Sequence, residues 1–227
     1  MKKLLLILLC VPLIGFGQQT YVPDDNFEQY LINQGYDNVL DDYVTTANIN
    51  TVTNLNLGYQ NISDLTGIED FTYLSYLACE YNQLTSLDVT QNTALTHLEC
   101  YENSLTSLDL TQNSNLIELN CGDNQLTSLN IRNGNNNNLT YFSCDDNFSL
   151  YCINVDDASF SSANWTNIDP QSYFSNNCSG TTDIEEHSTN KELLKVTDLL
   201  GRETKQTNQP LFYIYDDGTV EKRIVIE

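Results

Sequence analysis

Positive charge is almost missing from this chain. Of its 227 residues only nine are Lys or Arg against 31 Asp or Glu, a formal net charge of −22, and between Lys3 and Arg132 there is no Lys or Arg at all. Such a surface repels phosphate backbones and anionic membranes, which argues against nucleic acid as a partner. Histidine is nearly as scarce, with two residues. His97 has no serine, cysteine or lysine poised beside it, and His187 sits in a polar stretch where it is solvated. Catalysis by a base and a nucleophile needs the two within hydrogen-bond reach, so no enzyme activity is expected and no catalytic residue is assigned. Long apolar runs are absent as well. The run from Leu4 to Phe16 spans 13 residues, too short to cross a bilayer. Behind Met1-Lys2-Lys3 it reads as a secretory signal, residues 1–17, cleaved after Gly17 and taking Cys10 with it.

What the chain has is repetition. Leu84-Thr-Ser-Leu87-Asp-Val89, Leu105-Thr-Ser-Leu108-Asp-Leu110 and Leu126-Thr-Ser-Leu129-Asn-Ile131 state one phrase three times at a step of 21. Cys79, Cys100 and Cys121 keep the same step, with Asn82, Asn103 and Asn124 three residues after each. Cys144 and Asn147 make a fourth copy, two residues late because Gly134-Asn-Asn-Asn-Asn138 lengthens the loop before them. A period of this size marks a solenoid. Side chains alternate along a strand, so Leu98 and Cys100 point inward while Glu99 and Tyr101 point out. Stacked coils set strands roughly 4.8 Å apart in a parallel ladder, which buries Leu77, Leu98, Leu119 and Phe142 as one column. At the bend after each strand, an Asn amide can satisfy a donor and an acceptor of the neighbouring coil; Gln60 stands there in the first copy.

Written from Leu95, the unit is Leu95-x-x-Leu98-x-Cys100-x-x-Asn103-x-Leu105, which resembles a leucine-rich repeat with cysteine in the third apolar slot. The longer first copy, Val52-x-x-Leu55-x-Leu57-x-x-Gln60-x-Ile62-x-x-Leu65 followed by Gly67-Ile68 and Phe71, resembles the 22-residue repeat of the internalins. The expected fold is an α/β-type solenoid dominated by short parallel β-strands, with an N-terminal helical cap and a small antiparallel β domain at the C-terminus.

The regular cysteines invite a zinc reading, which the ladder argues against. Zinc needs ligands converging tetrahedrally on one point, whereas Cys79, Cys100, Cys121 and Cys144 would form a straight column. They read as buried free thiols, and with Asn82, Asn103, Asn124 and Asn147 they make up the buried ladder. Function is expected on the outward strand positions. One column reads Asn54, Tyr76, His97, Glu118, Tyr141, the next Asn56, Ala78, Glu99, Asn120, Ser143, and beyond them lie Glu80, Tyr81, Tyr101 and Asp145. Tyrosine among carboxylates suits recognition of a protein or glycan ligand, and Tyr76, Glu80, Tyr81, His97, Glu99, Tyr101, Glu118, Tyr141 and Asp145 are the candidates. Outward tyrosines that merely satisfy β propensity are the competing explanation. Carboxylate pairs such as Glu80 with Glu99 could serve a glycosidase, but an open ladder offers no cleft. The other face, Thr85-Ser86, Thr106-Ser107 and Thr127-Ser128 with Asp88, Asp109 and Asn130, reads as a spacer surface.

The ends of a solenoid need covers. Residues 18–50 hold the N-terminal one, in which Pro23-Asp-Asp25 precedes Phe27, Tyr30, Leu31 and Ile32 on one face of a helix over 23–34. Asp37, Asp41 and Asp42 follow; clustered carboxylates suit calcium, but the spacing lacks the EF-hand signature, so no metal site and no cofactor is assigned and a solvated turn is expected. The repeats occupy 51–155, and the period stops after Leu150-x-x-Ile153-x-Val155. A C-terminal cover follows over 156–178, carrying Phe160, Trp165, Ile168, Tyr173 and Phe174. Cys152 stands outside the buried column and Cys178 closes this segment, so a disulfide is expected between them, with two free thiols as the alternative.

Residues 179–192 are a polar linker and 193–227 resume strand-like segments; together they carry six of the seven basic residues left after signal removal. Asp198-Leu-Leu-Gly201-Arg202, Phe212-Tyr213, Asp217-Gly218 and Lys222-Arg223-Ile224 resemble the C-terminal sorting domain of the Bacteroidetes type IX secretion system. That resemblance assigns Asp198, Gly201, Arg202, Tyr213, Gly218 and Lys222 to a sorting motif, the secretion machinery as a partner, and a secreted or outer-membrane surface location. The whole layout looks like the exported leucine-rich repeat proteins of flavobacteria. The expected function is non-catalytic binding of a protein or glycan at the cell surface; a structural or calcium-stabilised spacer is the alternative.

Overall fold

The computed structural model describes residues 17–178 and three strands of the tail, at 193–197, 210–215 and 220–224. In chain order the elements are β1 (Gln19–Tyr21), α1 (Asp25–Asn33), β2 (Tyr43–Thr45), α2 (Thr46–Ile49), β3 (Asn54–Asn56), β4 (Tyr76–Ala78), β5 (His97–Glu99), β6 (Ser107–Asp109), β7 (Glu118–Asn120), β8 (Ser128–Asn130), β9 (Tyr141–Ser143), β10 (Cys152–Asn154), α3 (Ala158–Asn164), β11 (Tyr173–Ser175), β12 (Leu193–Thr197), β13 (Pro210–Tyr215) and β14 (Val220–Ile224). The chain divides into two units, Met1–Cys178 and Ser179–Glu227.

Each coil contributes three residues to a strand, the middle one apolar and turned inward. β3, β4, β5, β7 and β9 form one five-stranded parallel sheet in that order. Its register aligns Leu55, Leu77, Leu98, Leu119 and Phe142, none more than 4% exposed. Two residues of the outward columns, Ala78 and Ser143, are buried rather than on the surface. Their side chains are too short to rise past the larger ones of the adjacent coils.

In its second and third copies the Leu-Thr-Ser-Leu phrase carries a strand of its own. β6, β8, β10 and β11 form a second parallel sheet, with Leu108, Leu129, Ile153 and Phe174 in register. The face expected as a spacer surface is thus built, from the second copy of the phrase onward, on a hydrogen-bonded ladder. Its alternation is masked by Ser and Asp, residues with little strand preference. The stacking also runs past Val155, where the period of the sequence ends. From Ile153 to Phe174 the step is again 21, with α3 between them. Cys144 donates its backbone N–H to the Asn167 carbonyl, which prolongs the first sheet beside β9. Trp165 stacks on Phe142 at 4.7 Å and Phe174 meets Phe142 edge-on at 5.8 Å, so aromatic rings fill this turn where leucines fill the earlier ones.

Two asparagine columns close the bends. Asn103 donates to the carbonyls of Cys79, Cys100 and Tyr101 and accepts from the Leu84 N–H. Asn124 repeats this with Cys100, Cys121, Gly122 and Leu105, and Asn147 with Cys121, Cys144, Asp145 and Leu126. Asn82 likewise joins Leu57, Cys79 and Glu80 to the N–H groups of Gln60 and Ile62. Gln60, by contrast, reaches only the Gly58 carbonyl of its own coil. The second column, at the opposite bend, is Asn92 and Asn113. Both are fully buried, Asn92 bonding the Ile68 and Phe71 carbonyls and Asn113 those of Val89 and Asn92.

At the N-terminal end Asp24 caps α1, one carboxylate oxygen accepting from the N–H groups of Asn26 and Phe27. Its other oxygen accepts from Ser63 N–H and Oγ and from Asp64 N–H, tying the helix start to the first repeat. The buried face of α1 carries Phe27 and Leu31, and Phe27 packs on Phe71 at 6.2 Å. The chain leaves the first repeat through Gly67, at φ 102°; a Cβ there would come 2.7 Å from the Tyr21 carbonyl oxygen of β1. In the second unit β12, β13 and β14 form an antiparallel sheet in that order, with a register shift between Leu193 and Lys195.

Candidate functional site

The outward side of the first sheet collects the candidate residues by register. Tyr76, His97, Glu118 and Tyr141 stand side by side on β4, β5, β7 and β9. Glu99 and Asn120 form the next column, between the buried Ala78 and Ser143. The Tyr76 hydroxyl donates to Glu99 at 2.9 Å, so these two are a pair and not two independent contacts. His97 faces Tyr76 at 5.9 Å between rings, shares a 2.8 Å hydrogen bond with Thr96 through Nδ1, and places Nε2 3.7 Å from Glu118.

Beyond the strands the ladder continues into a turn. Tyr59, Tyr81, Glu102, Asp123 and Asp146 occupy one position per coil, all with φ between 48° and 59°. The left-handed region is sparsely used by non-glycine residues. It is held here because the N–H groups of Tyr59, Tyr81, Glu102 and Asp123 donate to the carbonyls of Glu80, Tyr101, Gly122 and Asp145 in the next coil. The consequence is a rank of rings and carboxylates turned to solvent. Tyr59 and Tyr81 stack at 4.2 Å with an interplanar angle of 12°, and Tyr81 meets Tyr101 edge-on at 5.3 Å. Tyr59 belongs to this rank although it is not among the candidates. Its signal in the sequence is that it stands one coil before Tyr81 in the same slot.

Glu80 lies across the first coil at Gly58, where any Cβ would collide with its carboxylate. Its Oε2 is buried without a hydrogen-bond partner. Next to it, Glu99, Tyr101, Glu118, Asn120 and Tyr141 line a shallow depression of ≈ 270 Å³. The electrostatics agree in sign across the face. Burial, the hydrogen bond to Glu99 and the charges of Glu99, Glu80 and Glu118 push the Tyr76 hydroxyl up to about 12. Burial, followed by the charges of Glu80, Glu99 and Glu102 among others, raises Tyr101, and desolvation with Glu102, Asp146 and Asp145 raises Asp123. Asp145 is exposed and accepts from the Ser143 hydroxyl.

The cysteines lie inside. Cys79, Cys100, Cys121 and Cys144 are fully buried free thiols, and burial pushes Cys100 up to about 12 and the others upward. A buried, protonated column is neither a nucleophile nor a ligand set. Cys152 and Cys178 are joined as a disulfide between β10 and the segment after β11. Of the acidic loop, Asp37 and Asp41 come together, but with Glu28 and not with Asp42; one oxygen from each of the three lies within 4.8 Å of the others. Glu28, fully buried on α1, accepts from the N–H groups of Asp41, Asp42 and Tyr43, which gives it a structural task in holding the loop. These three carboxylates are the residues that could hold a hard cation. In the tail, Tyr213 is half-buried opposite Glu221, and Lys222 stands opposite Phe212. Asp198, Gly201, Arg202 and Gly218 lie outside the described residues, as do residues 1–16 of the expected signal.

No family model matches the chain. Over 73 residues it is 39% identical to internalin J of Listeria monocytogenes serotype 4b (strain F2365), a match covering 32% of this chain and 8% of that protein. Among solved structures it is similar to the functional domain of InlJ from Listeria monocytogenes, which includes a cysteine ladder, with a TM-score of 0.51, 35% identity, and 60% of this chain and 33% of that chain covered. An internalin (inlF) from the same species is 20% identical with a TM-score of 0.48, over 68% of this chain and 56% of that one. The repeats are thus internalin-like leucine-rich repeats, and the chain spans a small part of the curated relative's length.

Proposed function

We propose that this chain is a non-catalytic, exported leucine-rich repeat protein that binds a protein or glycan ligand through the outward face of its first sheet. The observation that carries the proposal is the rank of Tyr59, Tyr81 and Tyr101 beside the depression of Glu99, Tyr101, Glu118, Asn120 and Tyr141. Two of these tyrosines occupy left-handed backbone positions that Asn, Asp or Gly would fill with less strain. Strained residues concentrate where a site is built. Catalysis has no support on this face: the Thr96 hydroxyl beside His97 donates its proton to the Ser75 carbonyl and so accepts from His97 Nδ1, which leaves no base poised on a nucleophile.

α1 and β1–β2 act as the N-terminal cover, and α3 with β11 and the disulfide as the C-terminal one. The signal at 1–17 takes the chain across the inner membrane. The tail at 193–227 takes it across the outer membrane by the type IX route of Bacteroidetes, leaving the solenoid secreted or at the cell surface. No helix among the described residues is long and apolar enough to cross a membrane.

A second role is favoured by one observation, the meeting of Glu28, Asp37 and Asp41: a calcium-stabilised surface spacer with no ligand. Melting with and without calcium, combined with a glycan and protein binding screen, separates the two. A binder gives a saturable ligand in the screen; a spacer gives at most a calcium-dependent melting point. For export, a reporter fused before residues 183–227 reaches the medium or cell surface if the tail sorts, and retention inside a cell with a working secretion system contradicts the sorting role.

A further inference from the structure

The strand face is an uncovered sheet surface whose charges share one sign. Glu80, Glu99, Glu102, Glu118, Asp123 and Asp145 stand on it or at its margin, and no Lys or Arg occurs between Lys3 and Arg132. The ion pair from this face is that of His97 with Glu118, at 3.7 Å and counted only when His97 is protonated. Against this background one feature suits a cationic partner. The depression on this face is lined by two carboxylates, Glu99 and Glu118, and two tyrosine rings, Tyr101 and Tyr141.

Its size and chemistry choose among ligands. A volume of ≈ 270 Å³ falls below the roughly 300–1,000 Å³ of small-molecule pockets, so it receives one side chain or one ring rather than a cofactor. A neutral sugar ring can stack on the tyrosines but leaves the mutual repulsion of the carboxylates in place. A guanidinium does both: its plane stacks on tyrosine, and its forked N–H groups match a carboxylate through two parallel bonds. An ammonium offers a point charge without the fork.

We propose that the ligand of this face is a basic peptide segment, with an arginine seated between Tyr101 and Tyr141 against Glu99 and Glu118. This rests on the binding role proposed above and narrows it to a cationic protein ligand. The approach is steered by the whole acidic solenoid, so association is fast and salt-sensitive, while the depression sets the preference for arginine.

The test uses the chain from Gln18 to Glu227 and three labelled dodecapeptides alternating glycine with arginine, lysine or glutamine, followed by fluorescence anisotropy at low and high salt. An oligosaccharide set serves as the competing probe. Arginine should bind more tightly than lysine, glutamine should not bind, and affinity should fall with salt. The double variant Glu99→Gln/Glu118→Gln should lose at least about tenfold in affinity. Tyr141→Ala, a change at an exposed ring, should lose severalfold and keeps the test open if the double variant does not fold. Asp88→Asn/Asp109→Asn, with the same charge change at β6 and one coil before it, away from the first sheet, should stay within about twofold. Equal losses in both double variants would mean general attraction to a polyanion and overturn the proposal. Absence of arginine-peptide binding by the folded protein overturns it as well. If an oligosaccharide then binds and Tyr141→Ala weakens it, the face is still a binding site, its ligand is a glycan, and the cationic assignment alone has failed.

Discussion

Asp24 shows how much one side chain can hold. Burial by itself would raise its carboxyl, but hydrogen bonds from Ser63, Phe27 and Asp64 outweigh that and keep it below the usual range. A carboxylate depressed in the folded state contributes stability above its unfolded value and loses it as pH falls through the folded one. Stability should therefore decline below about pH 4, and Asp24→Asn should remove that part of the decline. Asn can still cap the helix, but its NH2 would face the Ser63 and Asp64 N–H groups that the second carboxylate oxygen accepts, so the variant should cost about 1–3 kcal/mol at neutral pH, measured by urea denaturation. The thiol column gives a second expectation. With Cys79, Cys100, Cys121 and Cys144 buried and their thiols pushed upward, iodoacetamide at neutral pH should label none of the four in the folded protein and all four in urea. Cys152 and Cys178 should label only after reduction.

The repeating element is a coil with a strand on each of two faces and an asparagine at each of two bends. Asn124 donates to three carbonyls, each of which has a second donor in Asn103, Asn147 or the Glu102 N–H, and it is the acceptor for the buried Leu105 N–H; a buried group left without its partner costs about 1–3 kcal/mol. Asn124→Leu should thus destabilise by about 1–3 kcal/mol. Its neighbour Gln125 turns its side chain to solvent, so Gln125→Ala should be near neutral. At the turn, Glu102→Gly should stabilise by about 0.5–1 kcal/mol, since φ 54° strains any residue with a Cβ. A thermal melt decides all three. The first sheet, its inward leucines and the Cys and Asn columns were legible because they recur at a fixed step. The second sheet was not, since Ser107, Asp109 and Ser128 hide a strand behind polar residues. The last turn was legible as an aromatic cover carrying Trp165 and Phe174, but not as one more coil whose strand pairs with β10. Asn92 and Asn113 went unread although Thr-Gln-Asn recurs there, because a buried asparagine looks like any loop residue until its carbonyl partners are known. Register also explains the site: it brings Tyr76 to Glu99 and Glu99 to Tyr141, residues far apart in sequence, but the left-handed turn that presents Tyr59 and Tyr81 has no signature that tyrosine would announce.

At the scale of the molecule, the solenoid is a way of holding side chains from successive coils in fixed columns. Stability sums over neighbouring coils, so the last one depends on its closure. The Cys152–Cys178 bridge spans 26 residues, and reduction should lower stability by roughly 2–4 kcal/mol, loosening α3 and β11 first. This would be seen as faster hydrogen exchange at 158–175 than at 97–121. The central claim is that the tyrosine and carboxylate face of the first sheet is the part that meets a ligand. Capture of partners from the native cell-surface environment, by the wild-type chain and by Tyr76→Ser/Tyr101→Ser/Tyr141→Ser with an unchanged circular dichroism spectrum, tests it most directly. The account predicts that the variant loses the captured partner; retention at wild-type level by the folded variant would contradict it.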